Sequence, residues 1–130
     1  MYKNLVTLTL MILVVTMIFT GCGNSYKHIS QEEARKMMQT EQNYLIVDVR
    51  TKEEYNKKHI PGAVVVPIAD IRDGKLDSLP DKNQKLFVYC WTGRRAEDAS
   101  ELLSSRGYQN VYEIGGLVDW TGEIEGEEVN

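Results

Sequence analysis

The apolar positions of this chain fall into short β-rich runs separated by stretches of helical period. Leu86-Phe87-Val88-Tyr89 is an unbroken apolar run, which predicts a strand buried on both faces. Just beyond it, Ala96, Ala99, Leu102 and Leu103 recur along one helical face, and Gly107 marks that helix's end. Tyr44 to Val49, Ala63 to Val66 and Val111 to Ile114 predict further strands, and His28-Ile29 a short first one. Ser30-x-x-Glu33 and Thr51-x-x-Glu54 have the spacing of capping boxes. The first opens a helix over 31–39 with Ala34, Met37 and Met38 on one side, and the second a short helix ending before Pro61. Ile68, Ile71, Leu76 and Leu79 are broken by Asp73-Gly74, which predicts a short helix, a turn and a second helix or irregular cover. Strands alternating with helices give an α/β fold, a mostly parallel sheet with helices on both faces.

Candidate chemistry gathers after the Leu86–Tyr89 run. Cys90-Trp91-Thr92-Gly93-Arg94-Arg95 places a thiol at the carboxyl end of a strand, on a tight loop running into a helix start. In open α/β sheets that is where ligands bind. Backbone N–H groups in such a turn form an anion-binding nest, and the helix start adds about half a positive charge. Arg94 and Arg95 add two full charges. All three favour thiolate over thiol, so a reactive cysteine is expected here rather than an inert buried one.

At these residues the chain resembles the active-site loop of rhodanese-type sulfurtransferases, with Cys90-x-x-Gly93-x-Arg95 after an apolar strand. Two further segments resemble the same family in order and spacing. One is Leu45-Ile46-Val47-Asp48-Val49-Arg50 with Glu53-Glu54-Tyr55 and His59-Ile60-Pro61-Gly62-Ala63; the other is Tyr112 to Leu117 with Trp120. A departure is Lys57-Lys58 ahead of His59, where the family often has glycine at the second position. The resemblance implies a rhodanese-like, five-stranded sheet with the Cys90 strand at its centre.

It also implies double displacement through a persulfide on Cys90, from a small anionic sulfur donor such as thiosulfate to cyanide, a thiol or a protein acceptor. Arg95, at the family's arginine position, would help hold the donor, with Arg94 assisting from the rim and Trp91 and Thr92 lining the mouth. Asp48 and Arg50 lie beside the site in family members, the arginine commonly pairing with the following acidic residue. Asp48, Arg50 and Glu54 are expected to brace the loops rather than to act in catalysis. Four residues separate Cys90 from Arg95, whereas cysteine phosphatases on this fold place five there. The shorter loop suits one sulfur atom, so a phosphatase or arsenate reductase ranks behind. A persulfide carrier or docking module of the cell envelope is the alternative from another class.

Composition adds limits. A chain of 130 residues with 42% hydrophobic content allows one modest core. The net charge of −4 without a basic stripe argues against nucleic acid as partner. The two histidines lie far apart and no ligand spacing appears, so neither a metal site nor a cofactor is expected.

Residues 1–21 read as an export signal: Lys3 gives a positive start and Leu5 to Phe19 an uncharged apolar run of 15 residues. Phe19-Thr20-Gly21-Cys22 resembles a lipoprotein signal, apart from Phe19 in place of the usual aliphatic residue. Cys22 would be lipidated and anchor the exported protein to the cell membrane. Cys90 would then be the sole free thiol, which excludes an internal disulfide and dithiol redox chemistry. Residues 22–27 form a tether, 28–122 the folded domain, and 123–130 an acidic tail expected to be solvated and partly frayed.

Overall fold

A computed structural model describes residues 25–129. The signal segment and Cys22 lie outside the described residues. The elements run β1 (Lys27–His28), α1 (Gln31–Thr40), β2 (Tyr44–Asp48), α2 (Lys52–Lys57), β3 (Val64–Val65), α3 (Ile68–Arg72), β4 (Lys85–Cys90), α4 (Arg94–Ser105) and β5 (Val111–Gly116), with a 3-10 turn at Leu117–Asp119. Five strands form one sheet in the order β1-β5-β4-β2-β3, and every pairing between them is parallel. The strand that ends in Cys90 is therefore central. Residues 73–84, the expected second helix or irregular cover, form turns and irregular chain without a helix.

The centre of the sheet follows from side-chain alternation. Along β4, Leu86, Val88 and Cys90 face the core beneath α3 and α4, with Val47, Ile71, Ala96, Ala99 and Leu103. Phe87 and Tyr89 face the other core, with Ala34, Ile46, Ile60, Ala63 and Ile114. A strand covered on both sides needs no polar face, and this one has none. Each fully buried side chain of this size contributes about 1.5–3 kcal/mol. That anchors the end of β4 where the loop begins.

Caps fix where the flanking helices start. Ser30 Oγ accepts from the Glu33 N–H at 3.1 Å, and Thr51 with Glu54 forms the complete capping box. Lys58, at the family's glycine position, has φ −163°, extended backbone that any residue adopts.

The acidic tail is not frayed at its start. His59 and Glu125 form an antiparallel bridge, their N–H groups donating to each other's carbonyls at 2.8 and 3.0 Å. The Glu127 and Glu128 N–H groups donate to the carbonyls of Asn56 and Lys57 at 2.9 and 3.0 Å. His59 Nε2 also lies 3.0 Å from Glu125 Oε1. Charge patterning pointed to solvation, but it does not register backbone pairing. The glutamate side chains stay in water while their amides dock.

Candidate active site

Cys90 closes β4 and Gly93 caps α4, so two residues, Trp91 and Thr92, make the whole connection. The connection is that short because Gly93 adopts φ +110°, a region open to glycine at little cost. Its N–H turns back and donates to Cys90 Sγ at 3.0 Å. The N–H groups of Thr92, Arg94 and Arg95 find no backbone acceptor among the described residues. They are free donors of the loop and the helix start that follow Cys90 in sequence. Cys90 itself is 1% exposed.

The loop rests on β5. A Cβ added to Gly116 would lie 2.1 Å from the Trp91 carbonyl oxygen, so only glycine allows the two backbones this close. The Val118 N–H donates to that same carbonyl at 3.1 Å. Trp91 and Thr92 are exposed at the mouth, and Lys58 Nζ sits 5.1 Å above the Trp91 ring. Arg94 is exposed too, pointing no charge into the core.

Arg95 departs from the expected arrangement. Its guanidinium makes a bidentate pair with Glu54, NH1 to Oε1 at 2.7 Å and NH2 to Oε2 at 2.9 Å. The expected partner of Glu54 was Arg50, but Arg50 turns to the buried Asp48 instead. Nε donates to Asp48 Oδ1 at 3.0 Å and NH2 to Oδ2 at 2.7 Å. The reason is strand geometry: residues two apart share a face. The brace is thus two pairs, Asp48–Arg50 and Glu54–Arg95. Arg95 holds the loop's end to α2, with part of its surface still open.

The Asp48–Arg50 pair carries more than was expected of it. Tyr89 Oη donates to Asp48 Oδ2 at 2.7 Å and accepts from the Ile60 N–H at 3.1 Å. Arg50 NH2 also donates to the Lys58 carbonyl at 2.7 Å. Burial, then the Asp48 charge, pushes the Tyr89 hydroxyl well above its ordinary pKa, so it stays a donor. The sequence pattern places Tyr89 in an unbroken apolar run. Its hydroxyl at the end of a buried strand was the available signal, since such a group needs a partner.

The hydrogen bond from Arg95, opposed by burial, holds the Glu54 carboxyl down at about 2. A lowered folded pKa gives stability that is present above the unfolded value and lost as pH falls through the folded one. The stability difference between wild type and Glu54→Gln is therefore expected to be full at pH 7 and to disappear as pH falls from about 4.5 to about 2. Urea unfolding of both proteins across that range checks it. A difference that persists unchanged at the acid end contradicts the pairing. Among the described residues no group of three or more His, Cys, Asp or Glu is placed to hold a metal ion.

Comparison with known proteins fits this geometry. The chain is 40% identical over 73 residues to the thiosulfate sulfurtransferase PspE of Escherichia coli K12, covering 56% of this chain and 70% of that protein. It is 33% identical over 104 residues to the putative sulfur carrier protein YrkF of Bacillus subtilis, covering 79% of this chain and 55% of that one. Its fold matches the solution structure of a rhodanese-like domain from Anabaena with a TM-score of 0.70 at 31% identity, over 78% of this chain and 80% of that one. Residues 30–123 match the model of the rhodanese-like domain, and the chain belongs to that family.

Proposed function

We propose that this protein is a sulfurtransferase that carries sulfane sulfur as a persulfide on Cys90. Cys90 thiolate attacks the outer sulfur of thiosulfate; the S–S bond of the donor breaks and sulfite leaves with its electron pair. A nucleophilic acceptor then attacks the terminal sulfur of the persulfide. With cyanide, a C–S bond forms, thiocyanate departs and Cys90 thiolate is restored. No proton has to move in either step, so no general base is assigned.

The observation that carries this reading is the Gly93 N–H at 3.0 Å from Cys90 Sγ, at the start of a helix with further unpaired donors. These donors stabilise an anionic sulfur without reorganising, whether thiolate or persulfide. Arg95 supports the site chiefly by fixing the loop's end through Glu54. Its remaining exposed surface and Arg94 supply charge toward an anionic donor. The test is the intact mass of the protein after thiosulfate, where one added sulfur is expected and is removed by cyanide.

The second reading, a persulfide carrier or docking module, draws on the 1% exposure of Cys90 and the name of the Bacillus subtilis relative. No sulfur taken from thiosulfate, but uptake from a protein persulfide, selects it. Under either reading the proposal includes an exported protein held at the membrane by lipid on Cys22, resting on the apolar run and Phe19-Thr20-Gly21-Cys22. Partition into detergent that is lost in Cys22→Ala is expected; wild type remaining in the aqueous phase overturns it.

A further inference from the structure

Glu113 is a charged residue with 1% exposure inside the β5 strand, and sulfur transfer as described gives it no task. Its surroundings connect it to the thiol. In the β4–β5 ladder Val88 pairs with Glu113, but the next pair is Cys90 with Gly116. Two steps along β4 thus face three along β5, which is a bulge. Gly115 lies in it at φ +86°, and its N–H donates to Glu113 Oε1 at 2.5 Å. The other oxygen, Oε2, contacts Nδ1 of His28, whose ring is exposed at the sheet edge.

The bulge is the floor of the loop. A Cβ on Gly93 would lie 3.4 Å from Gly115 Cα and 3.8 Å from Glu113 Oε1. Gly93 is the residue whose N–H donates to Cys90 Sγ. A line of neighbours therefore runs from His28 through the Glu113 carboxylate to Gly115, then to Gly93 packed close against it, and to the sulfur.

We infer that Glu113 is a positioning residue for sulfur transfer: by accepting from the Gly115 N–H it fixes the β5 bulge, and so the height of Gly93 against Cys90 Sγ. This rests on the sulfurtransferase reading and deepens it. The charge of Glu113 is not what serves the site, because a carboxylate beside an anion-binding loop opposes a bound anion. What serves the site is the acceptor atom. Glutamine keeps that acceptor and alanine removes it. His28 holds the far oxygen and so sets the carboxylate's rotation.

The test compares the full chain in detergent as wild type, Glu113→Gln, Glu113→Ala and His28→Ala. Two rates are read: persulfide formation with thiosulfate, and alkylation of Cys90 by iodoacetamide at one pH. Circular dichroism and the melting temperature report the fold. Glu113→Ala is expected to be slower than Glu113→Gln by about tenfold or more in both rates, the loss of about 1.4 kcal/mol of positioning. A purely structural role lowers the melting temperature while the rates of folded protein stay equal. Folded alanine and glutamine variants within about twofold of each other in both rates overturn the inference.

Should Glu113→Ala fail to fold, His28→Ala decides, since removing a ring exposed at the edge leaves the core intact. It is expected to slow alkylation by about threefold or more, and a rate within about twofold of wild type overturns the inference. If wild type takes no sulfur from thiosulfate, the donor reading fails by itself. The alkylation rates still decide the role of Glu113.

Discussion

Cys90→Ser is expected to take up no sulfur from thiosulfate and to release no thiocyanate, while keeping the melting temperature of wild type within a few degrees. The argument is chemical before it is structural. A serine hydroxyl does not ionise near neutral pH, and its oxygen forms no persulfide. The Gly93 N–H, which donates to Sγ, then faces a neutral group. The fold has little reason to change. Cys90 is buried in the core beneath α4, and oxygen for sulfur is a small loss of volume with a donor already in reach. Intact mass after thiosulfate and a thiocyanate assay read the two half-reactions separately. Thiocyanate formed by Cys90→Ser at the wild-type rate would remove the cysteine from the mechanism.

Specificity can be read in the same experiment. The loop places four residues between Cys90 and Arg95, and the Gly93 N–H within it donates to the sulfur itself. Hydrolysis of para-nitrophenyl phosphate through Cys90, without persulfide from thiosulfate, would favour the phosphatase reading instead.

The central strand and the Cys90 loop were legible because their signals are local. An apolar run, a thiol, a glycine and a helix start lie within about a dozen residues, and the periodicity that names them is the periodicity that buries them. The two capping boxes were legible for the same reason. The partners of the charged side chains were not. Glu54 and Arg95 lie 41 positions apart, and only the parallel packing of β2 beside β4 brings α2 to the first turn of α4. The Asp48–Arg50 pair is within reach of a period-of-two argument, whereas the family pattern points forward from Arg50 to Glu54. Glu113 carries a signal of its own: a single carboxylate inside an otherwise apolar strand needs a partner. The tail misled because four glutamates near the end describe side chains and say nothing about amides.

Breaking the Asp48–Arg50 pair is expected to be the most destabilising change among the polar residues. Asp48 is 0% exposed and Arg50 2%. Burial opposes the Arg50 charge, and the hydrogen bonds and charge of Asp48 outweigh that, leaving its pKa above the ordinary arginine value. Arg50→Ala strips the buried Asp48 carboxyl of its cationic partner and leaves it only the Tyr89 hydroxyl and the residue-50 N–H as donors. Removing one partner of a buried pair costs about 3–5 kcal/mol, a large share of the roughly 5–15 kcal/mol that holds a domain together. Removing both partners is expected to cost less than the sum of the single losses, because no charge is stranded. Urea unfolding of Arg50→Ala, Asp48→Ala and the double variant gives the coupling. Sulfur uptake by whatever fraction remains folded separates bracing from catalysis. As a brace, the pair ties β2 and β4 to the Lys58 and Ile60 backbone and touches no sulfur. The folded fraction of Arg50→Ala is then expected to load sulfur within about threefold of the wild-type rate. A loss of about a hundredfold in protein that is still folded would place Arg50 in the reaction itself.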